Sequence, residues 1–307
     1  MFDLLIHADW SVNAKKRWAA TARRGDGGWV VDGPTVLPDV PSFLEQAFDQ
    51  AKTHRVLLGF DFPIGVPQAY GTKTGFQNFT EMLATLGNGE WHTFFDVADA
   101  PGDISIRRPF FPRSPTKGVS RTALVEGLGM DDYADLLRIC EQPADNRRAA
   151  CALFWTLGGN QVGKGALAGW RDVILPAVRR GASLWPFDGT LAQLSERSGL
   201  VLAETYPAAA YRMVDAPFAS GESKRRQGDR QSKTSAITKW ADRHRIRLTK
   251  PAQSQLADGF GSHATGEDRF DAFLGLLGMI AVTGGHQPER SIRPETGSAW
   301  EGWILGR

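Results

Sequence analysis

Apolar positions along the chain follow two rhythms, one of short buried runs and one of helical stripes. Leu4–Asp9 (LLIHAD) is a short apolar run that ends on a carboxylate, and with no room for a helix before it, it predicts a buried strand. Lys16–Arg24 and Gly27–Val31 predict two more strands, joined at the turn signal Gly25-Asp26-Gly27. Ser42–His54 carries Phe43, Leu44, Ala47, Phe48 and Ala51 at helical spacing, with Ser42 and Glu45 as a capping box. Arg55–Phe62 (RVLLGFDF) predicts a buried strand stopped by Pro63, and Leu200–Thr205 (LVLAET) another, broken at Tyr206-Pro207. Helical segments are predicted over 131–140, 144–157, 166–180 and 231–246. Glu267–Val282 is a strongly apolar helix that buries Phe270, Phe273, Leu274, Leu277 and Ile280. The polar run Ser220–Thr234 predicts a mobile loop.

Strands alternating with helices predict an α/β fold. The tight connections of the first three strands predict an antiparallel meander at one end, and so a mixed five-stranded sheet flanked by helices. The expectation is one domain over 1–307, with a large, mostly helical insertion at about 63–195, between the fourth and fifth strands.

Three of the apolar runs finish on an acid: Asp9, Asp61 and Glu204. Parallel strands present their carboxyl ends along one sheet edge, where open α/β sheets bind ligands. Carboxylates half buried there repel one another unless a cation sits among them, and hard oxygen ligands suit Mg²⁺ or Mn²⁺. Asp268 and Asp271 stand three residues apart, on one face of the first turn of the last helix, whose dipole favours negative charge. The plainer alternative for any one of these acids is a turn or cap residue; their joint occurrence points to a site. The expected catalytic residues are therefore Asp9, Asp61, Glu204, Asp268 and Asp271, with Asp9, Asp61, Asp268 and Asp271 as metal ligands.

Composition adds limits. The chain is 42% hydrophobic and 23% charged over 307 residues, enough for a sizeable core. A net charge of +2 means that attraction for nucleic acid has to come from local patches. Two cysteines, Cys140 and Cys151, are too few for a four-thiolate metal site and do not suggest a disulfide scaffold. The N-terminal run lacks a basic segment and a cleavage signal, and no apolar run approaches the ~20 residues of a membrane span. A cytoplasmic protein without membrane contact is expected.

In order along the chain, HADWS (7–11), GFDFPIGVP (59–67), AETYPAAAYR (203–212) and EDRFDAFLGLLGMIAV (267–282) resemble the pattern of the DUF429 family of predicted nucleases, within the ribonuclease H-like superfamily. The resemblance spans nearly the whole chain, and its specificity lies in the ordered set of motifs. It implies a ribonuclease H-like fold and a metal-dependent nuclease. By that likeness Asp9 is the central metal bridge, Asp61 the second strand-end acid, and Asp268/Asp271 the acidic pair found in junction resolvases of this fold. The insertion of roughly 130 residues departs from members with shorter loops and leaves the substrate open, between DNA and RNA. Two ions about 4 Å apart would activate a water and stabilise the leaving oxygen of an in-line displacement.

Other signals are weaker. Residues 220–250 hold ten Lys/Arg against three Asp/Glu, including Lys224, Arg225 and Arg226, and predict a phosphate-tracking surface; a solvated helix face is the alternative. Arg107, Arg113 and Lys117 flank Phe110 and Phe111 in the insertion and are candidate phosphate contacts, or packing residues. The run 158–165 (GGNQVGKG) nearly matches a phosphate loop, but Gly165 stands where Ser or Thr should ligate magnesium, and a glycine-rich turn is expected, with Lys164 able to face the cleft. His7, on the strand face of Asp9, reads as a hydrogen-bonded core histidine, and His263 as a possible proton shuttle. The competing functions are a non-catalytic nucleic-acid-binding protein of the same fold and an ATP-dependent phosphotransferase of the actin and sugar-kinase type. The latter lacks the glycine-rich phosphate loops its chemistry needs.

Overall fold

The computed structural model describes residues 1–115, 119–143, 150–158, 162–197, 199–290 and 299–307. The chain divides into two compact units: Met1–Asp61 with Gly181–Ile292 and Ile304–Arg307, and Phe62–Arg180 with Arg293–Trp303. Of the stretch 63–195 expected as an insertion, 63–180 falls in the second unit and 181–195 in the first.

The first unit is α/β, a mixed sheet flanked by helices. Its strands are β1 (Leu4–Asp9), β2 (Trp18–Gly25), β3 (Gly28–Val31), β4 (Thr35–Val36), β5 (Arg55–Phe60), β6 (Ser183–Leu184), β7 (Gly199–Glu204) and β8 (Ile246–Leu248). They are ordered β6-β7-β5-β1-β2-β3-β8, with β4 on β2. Eight strands among the described residues stand where five were expected. The five long ones were visible as apolar runs, whereas β4, β6 and β8 have two or three residues each, too short to show a period. β1, β2 and β3 form the antiparallel meander, and β1, β5 and β7 run parallel. The meander turns between Gly25 and Gly28; at Gly28 (φ 126°) a Cβ would lie 2.0 Å from the Arg245 carbonyl oxygen, so glycine is required where β8 begins.

The helices of this unit are α1 (Val40–Ala51), α2 (Leu191–Glu196), α3 (Pro207–Met213), α4 (Gln227–Gln231), α5 (Thr234–Arg243), α6 (Lys250–Ala257) and α7 (Gly266–Thr283). α1 starts two residues before the predicted box at Ser42, because Asp39 accepts from Ser42 N at 3.0 Å and Pro41 suits the first turn. α7 lies against β1, β2 and α3, which is why it is apolar nearly all round. The opposite face of the sheet is covered by α1, with Phe43 6.4 Å from Phe60 ring to ring. Strand alternation then sorts the residues: His7 and Gly59 face α7, and Phe60 faces α1. At the start of the two strands, Asp3 pairs with Arg55 at 2.8 Å.

The polar segment expected to be a mobile loop is instead pinned. Arg230, buried, donates to the carbonyls of Gly259 (2.7 Å), Gly261 (2.6 Å) and Lys224, and α4 lies inside the segment.

The second unit is built around aromatic side chains. Phe94 stacks on Trp170 at 6.1 Å, and Phe79, Phe110, Phe154 and Tyr70 are fully buried. Buried Arg138, paired with Glu141 (2.8 Å), also donates to the carbonyls of Ile64 and Glu301. The Glu301 carboxylate accepts from Ile139 N and Gln68 N, so the chain near 300 is part of this unit. Helix is present over 162–179, near the expected 166–180. The expected helix at 131–140 is only two short 3₁₀ turns. Of the expected 144–157, residues 144–149 lie outside the described residues and 150–157 are not helical. Phe110 and Phe111 are core residues, as the packing alternative held. Among the described residues no helix is long and apolar enough to cross a membrane.

Candidate functional site

Asp9 is the last residue of β1, and Asp61 follows the last residue of β5. The parallel register, His7 beside Gly59 and Ala8 beside Phe60, sets their backbones side by side. The Trp10 amide donates to Asp61 Oδ1 at 2.7 Å and fixes that carboxylate across the strand ends. The N-terminal half of α7 lies over them. His7, two residues before Asp9, bonds through Nδ1 to the Ala272 carbonyl at 3.0 Å and through Nε2 to Thr205 Oγ1 at 2.8 Å. A carbonyl only accepts, so Nδ1 carries the proton and the Thr205 hydroxyl donates to Nε2. A Cβ on Gly275 would fall 2.2 Å from the His7 ring, so glycine at this position lets α7 settle onto the imidazole. His7 is thus a strut between β1 and α7 that sets how closely Asp271, the neighbour of Ala272, approaches Asp9. Burial pushes the His7 pKa down to about 4, and it stays neutral.

The result is four acids from three distant stretches of chain. Asp9 is 7% exposed, and its carboxylate receives no hydrogen bond or ion pair from the described residues. Burial raises its pKa well above the usual carboxylate value, and the charges of Asp61, Asp271 and Asp268 add to the rise. Asp61 is raised to about 7, by burial and by Asp271, against the opposing Trp10 amide and Lys224. Asp268 is raised to about 6, by burial and then its acidic neighbours, with Lys16 opposing; its Oδ2 is buried without a partner. Asp271 is raised by burial, offset by Lys224 and Tyr211.

Asp271 differs from the other three in being fully engaged. The Tyr211 hydroxyl, kept protonated by burial and by that carboxylate, donates to Oδ1. Lys224 Nζ ion-pairs with Oδ2 and lies 3.1 Å from Glu267 Oε1. Burial alone would lower the Lys224 pKa, but Asp271 and Glu267 outweigh it and hold it above its ordinary value.

The strand register separates Glu204 from this group. It pairs with Phe60, on the α1 side of the sheet, whereas the residues flanking it, Ala203 and Thr205, share the His7 and Asp9 side. The expectation that Glu204 joins the cluster fails because it ignored the two-residue alternation at the strand end.

The basic stretch at 220–250 also differs from expectation. Lys224 lies among the acids. Arg226 pairs with Asp229 (2.6 Å), Lys233 with Glu222 (2.5 Å), Arg243 with Asp215, and Arg225 sits 3.7 Å from Glu267. Lys224 and Lys233 are held within the fold, whereas Arg225, Arg226 and Arg243 stay exposed beside their acidic partners. Arg107 and Arg113, in the second unit, pair with Glu90 (2.5 Å) and Asp99 (2.6 Å). Lys117 lies outside the described residues. Lys164 is half-buried within helix Val162–Gly169, and residues 159–161 of the glycine-rich run lie outside the described residues.

Sequence reasoning passed over Tyr211 and Glu267, and also Lys15 and Lys16. The last two are exposed on the β1–β2 loop, directly after Asp9. That loop is held by Arg17, whose Nε donates to the Ser11 carbonyl at 2.6 Å and whose guanidinium lies 4.0 Å above the Trp10 ring. The available signal was proximity to a strand-end acid.

As these side chains stand, no group of three or more His, Cys, Asp or Glu among the described residues is arranged as an ion site. The donor set is nonetheless of the right chemistry: hard carboxylate oxygens, with Asp9 and Asp268 Oδ2 lacking partners. No family model, curated protein or solved structure matches the chain.

Proposed function

We propose that this protein is a divalent-metal-dependent hydrolase of phosphodiester bonds, a nuclease with a ribonuclease H-like arrangement of its sheet. The observation that carries the reading is the buried, unpartnered Asp9 carboxylate facing Asp61, Asp268 and Asp271. Such a cluster is stable at neutral pH only when protonated or when a cation lies within it. The mixed sheet, with its meander and its parallel strands β1, β5 and β7, supports the fold reading.

Asp9, Asp61 and Asp268 would hold Mg²⁺ or Mn²⁺. A bound ion of this kind supplies Lewis-acid polarisation of a phosphoryl oxygen. The chain's own residues do the rest. Trp10 N–H orients Asp61, His7 sets the spacing of β1 and α7, and Lys224 places positive charge where a pentavalent phosphorus gathers negative charge. Lys15 and Lys16 are free to meet flanking phosphates of a DNA or RNA strand.

The occupied oxygens of Asp271 favour a second reading, a nucleic-acid-binding protein of this fold without turnover. One assay separates the two: hydrolysis in Mn²⁺ of single-stranded, duplex and branched DNA and RNA, with Asp9→Asn as the blank. Cleavage of at least one substrate by the wild type, and its loss in the variant, is expected. Binding without cleavage throughout the panel would replace the hydrolase reading by the second.

A further inference from the structure

β8 is the last strand of the sheet and pairs with β3 on one side. The Thr249 amide donates to the Val31 carbonyl at 3.0 Å. By the alternation of a strand, the N–H and C=O of Arg247 then face β3, and those of Ile246 and Leu248 face outward. On that outer edge the Leu248 carbonyl accepts from Gln253 Nε2 of α6 at 3.0 Å. The Ile246 carbonyl and the Leu248 amide have no partner among the described residues, although both residues are buried. Buried backbone groups are seldom left so.

The open edge borders a cavity of about 460 Å³ between α5, β8 and α6, lined by β8 itself and by Gln253. α5 presents Thr238, Ala241 and Asp242 to it, while its Ile237 and Trp240 are buried. Arg245 and Arg247 also line it, and like Asp242 they are exposed and in no ion pair among the described residues. Arg245 follows the C-cap of α5 at φ 56°, a backbone conformation that glycine usually supplies at a helix end; an arginine there keeps a cation beside the cavity. A strand from another chain fits this edge poorly. It would need the Leu248 carbonyl, already taken, and a longer edge than three residues closed by left-handed Arg245 and by Thr249, the N-cap of α6. What remains is one acceptor and one donor two residues apart, the complement of a flat ring with an amino group beside a ring nitrogen.

We propose that this cavity binds an adenine nucleotide. The base's amino group donates to the Ile246 carbonyl and its ring nitrogen accepts from the Leu248 amide, Asp242 accepts from the ribose hydroxyls, and Arg245 and Arg247 hold the phosphate. The site stands apart from the reading of the acids at the ends of β1 and β5, and every residue in it belongs to the first unit.

The test is calorimetric titration of the whole chain at neutral pH with AMP, adenosine and IMP, with melting temperatures as the fold check. AMP should saturate one site at millimolar concentration or below. IMP, which carries a hydrogen on that ring nitrogen and an oxygen in place of the amino group, should bind about tenfold or more weakly. Arg247→Gln should weaken AMP by about tenfold and leave adenosine unchanged. Thr238→Phe, on the exposed side of α5, should block both, and AMP should slow amide exchange over 246–248 in the wild type. No saturation by AMP, equal affinity for AMP and IMP, or undiminished AMP binding in a folded Thr238→Phe would overturn the inference. The wild-type comparison of AMP with IMP decides the matter even where Thr238→Phe does not fold.

Discussion

At the scale of single residues, the site is defined by carboxyl groups that hold protons more tightly than carboxyls in water do. Asp61 and Asp268 are raised to about 7 and about 6, and burial and the neighbouring acids raise Asp9 well above its ordinary value. A carboxyl whose folded pKa exceeds its unfolded value, near 4, binds more protons folded than unfolded between those two pH values. Its stabilising contribution is therefore full below about 4 and declines as pH climbs through about 7. Without metal, melting temperatures in EDTA should fall from pH 5 to pH 8, by an amount on the order of a few kcal/mol in stability. Asp61→Asn should flatten the profile. A wild-type profile that rises over this range and is unchanged in Asp61→Asn would contradict the burial of these charges. The structural role of His7 also belongs here. Neutral at any pH above about 4, it acts through geometry, fixing a helix to a strand two residues from Asp9.

At the scale of elements, the loop after β1, to which sequence assigned no role, carries exposed cations, as does the segment before α4. Charge density singled out 220–250, where Glu222, Asp229, Asp215, Glu267 and Asp271 each lie beside one or two of the cations, of which Arg225, Arg226 and Arg243 remain exposed. Lys15 and Lys16 are only two charges, yet they are exposed, and Lys16 reaches the Asp268 carboxyl electrostatically. Lys15→Glu/Lys16→Glu should weaken polynucleotide binding and reduce the salt slope by about 1 to 2. Arg226→Glu should change binding little while loosening its own segment. Equal losses from the two substitutions, followed by filter binding at several salt concentrations, would return the patch to 220–250. The strand ends and α7 were legible because their signals are local: an apolar run, a terminal acid, two aspartates at helical spacing. Glu204 was misread from the same kind of signal, since a one-residue difference in phase moves a side chain across the sheet. Tyr211 was passed over because nothing in a short helix marks a buried hydroxyl as the partner of an aspartate. The turns near 134–141 carried helical spacing but do not continue as a helix.

At the scale of the whole molecule, the acids at the sheet edge are far apart in sequence. Asp9 and Asp61 lie at the start of the chain and Asp268 and Asp271 more than two hundred residues later, with the second unit's main stretch, Phe62–Arg180, leaving the sheet unit directly after Asp61. Folding the first unit brings these acids together at a desolvation cost that Lys224 and raised carboxyl pKa values offset in part. The most direct measurement is a pair of melting curves at pH 8, with and without Mn²⁺, for the wild type and Asp9→Asn. Without metal, the variant should melt at or above the wild type, because an unpartnered buried charge has gone. Mn²⁺ at about 100 times its Kd should stabilise the wild type by about 2.7 kcal/mol and leave the variant nearly unmoved. An Asp9→Asn protein that melts far below the wild type without metal, or gains as much from Mn²⁺ as the wild type does, would contradict a cation centre built around Asp9.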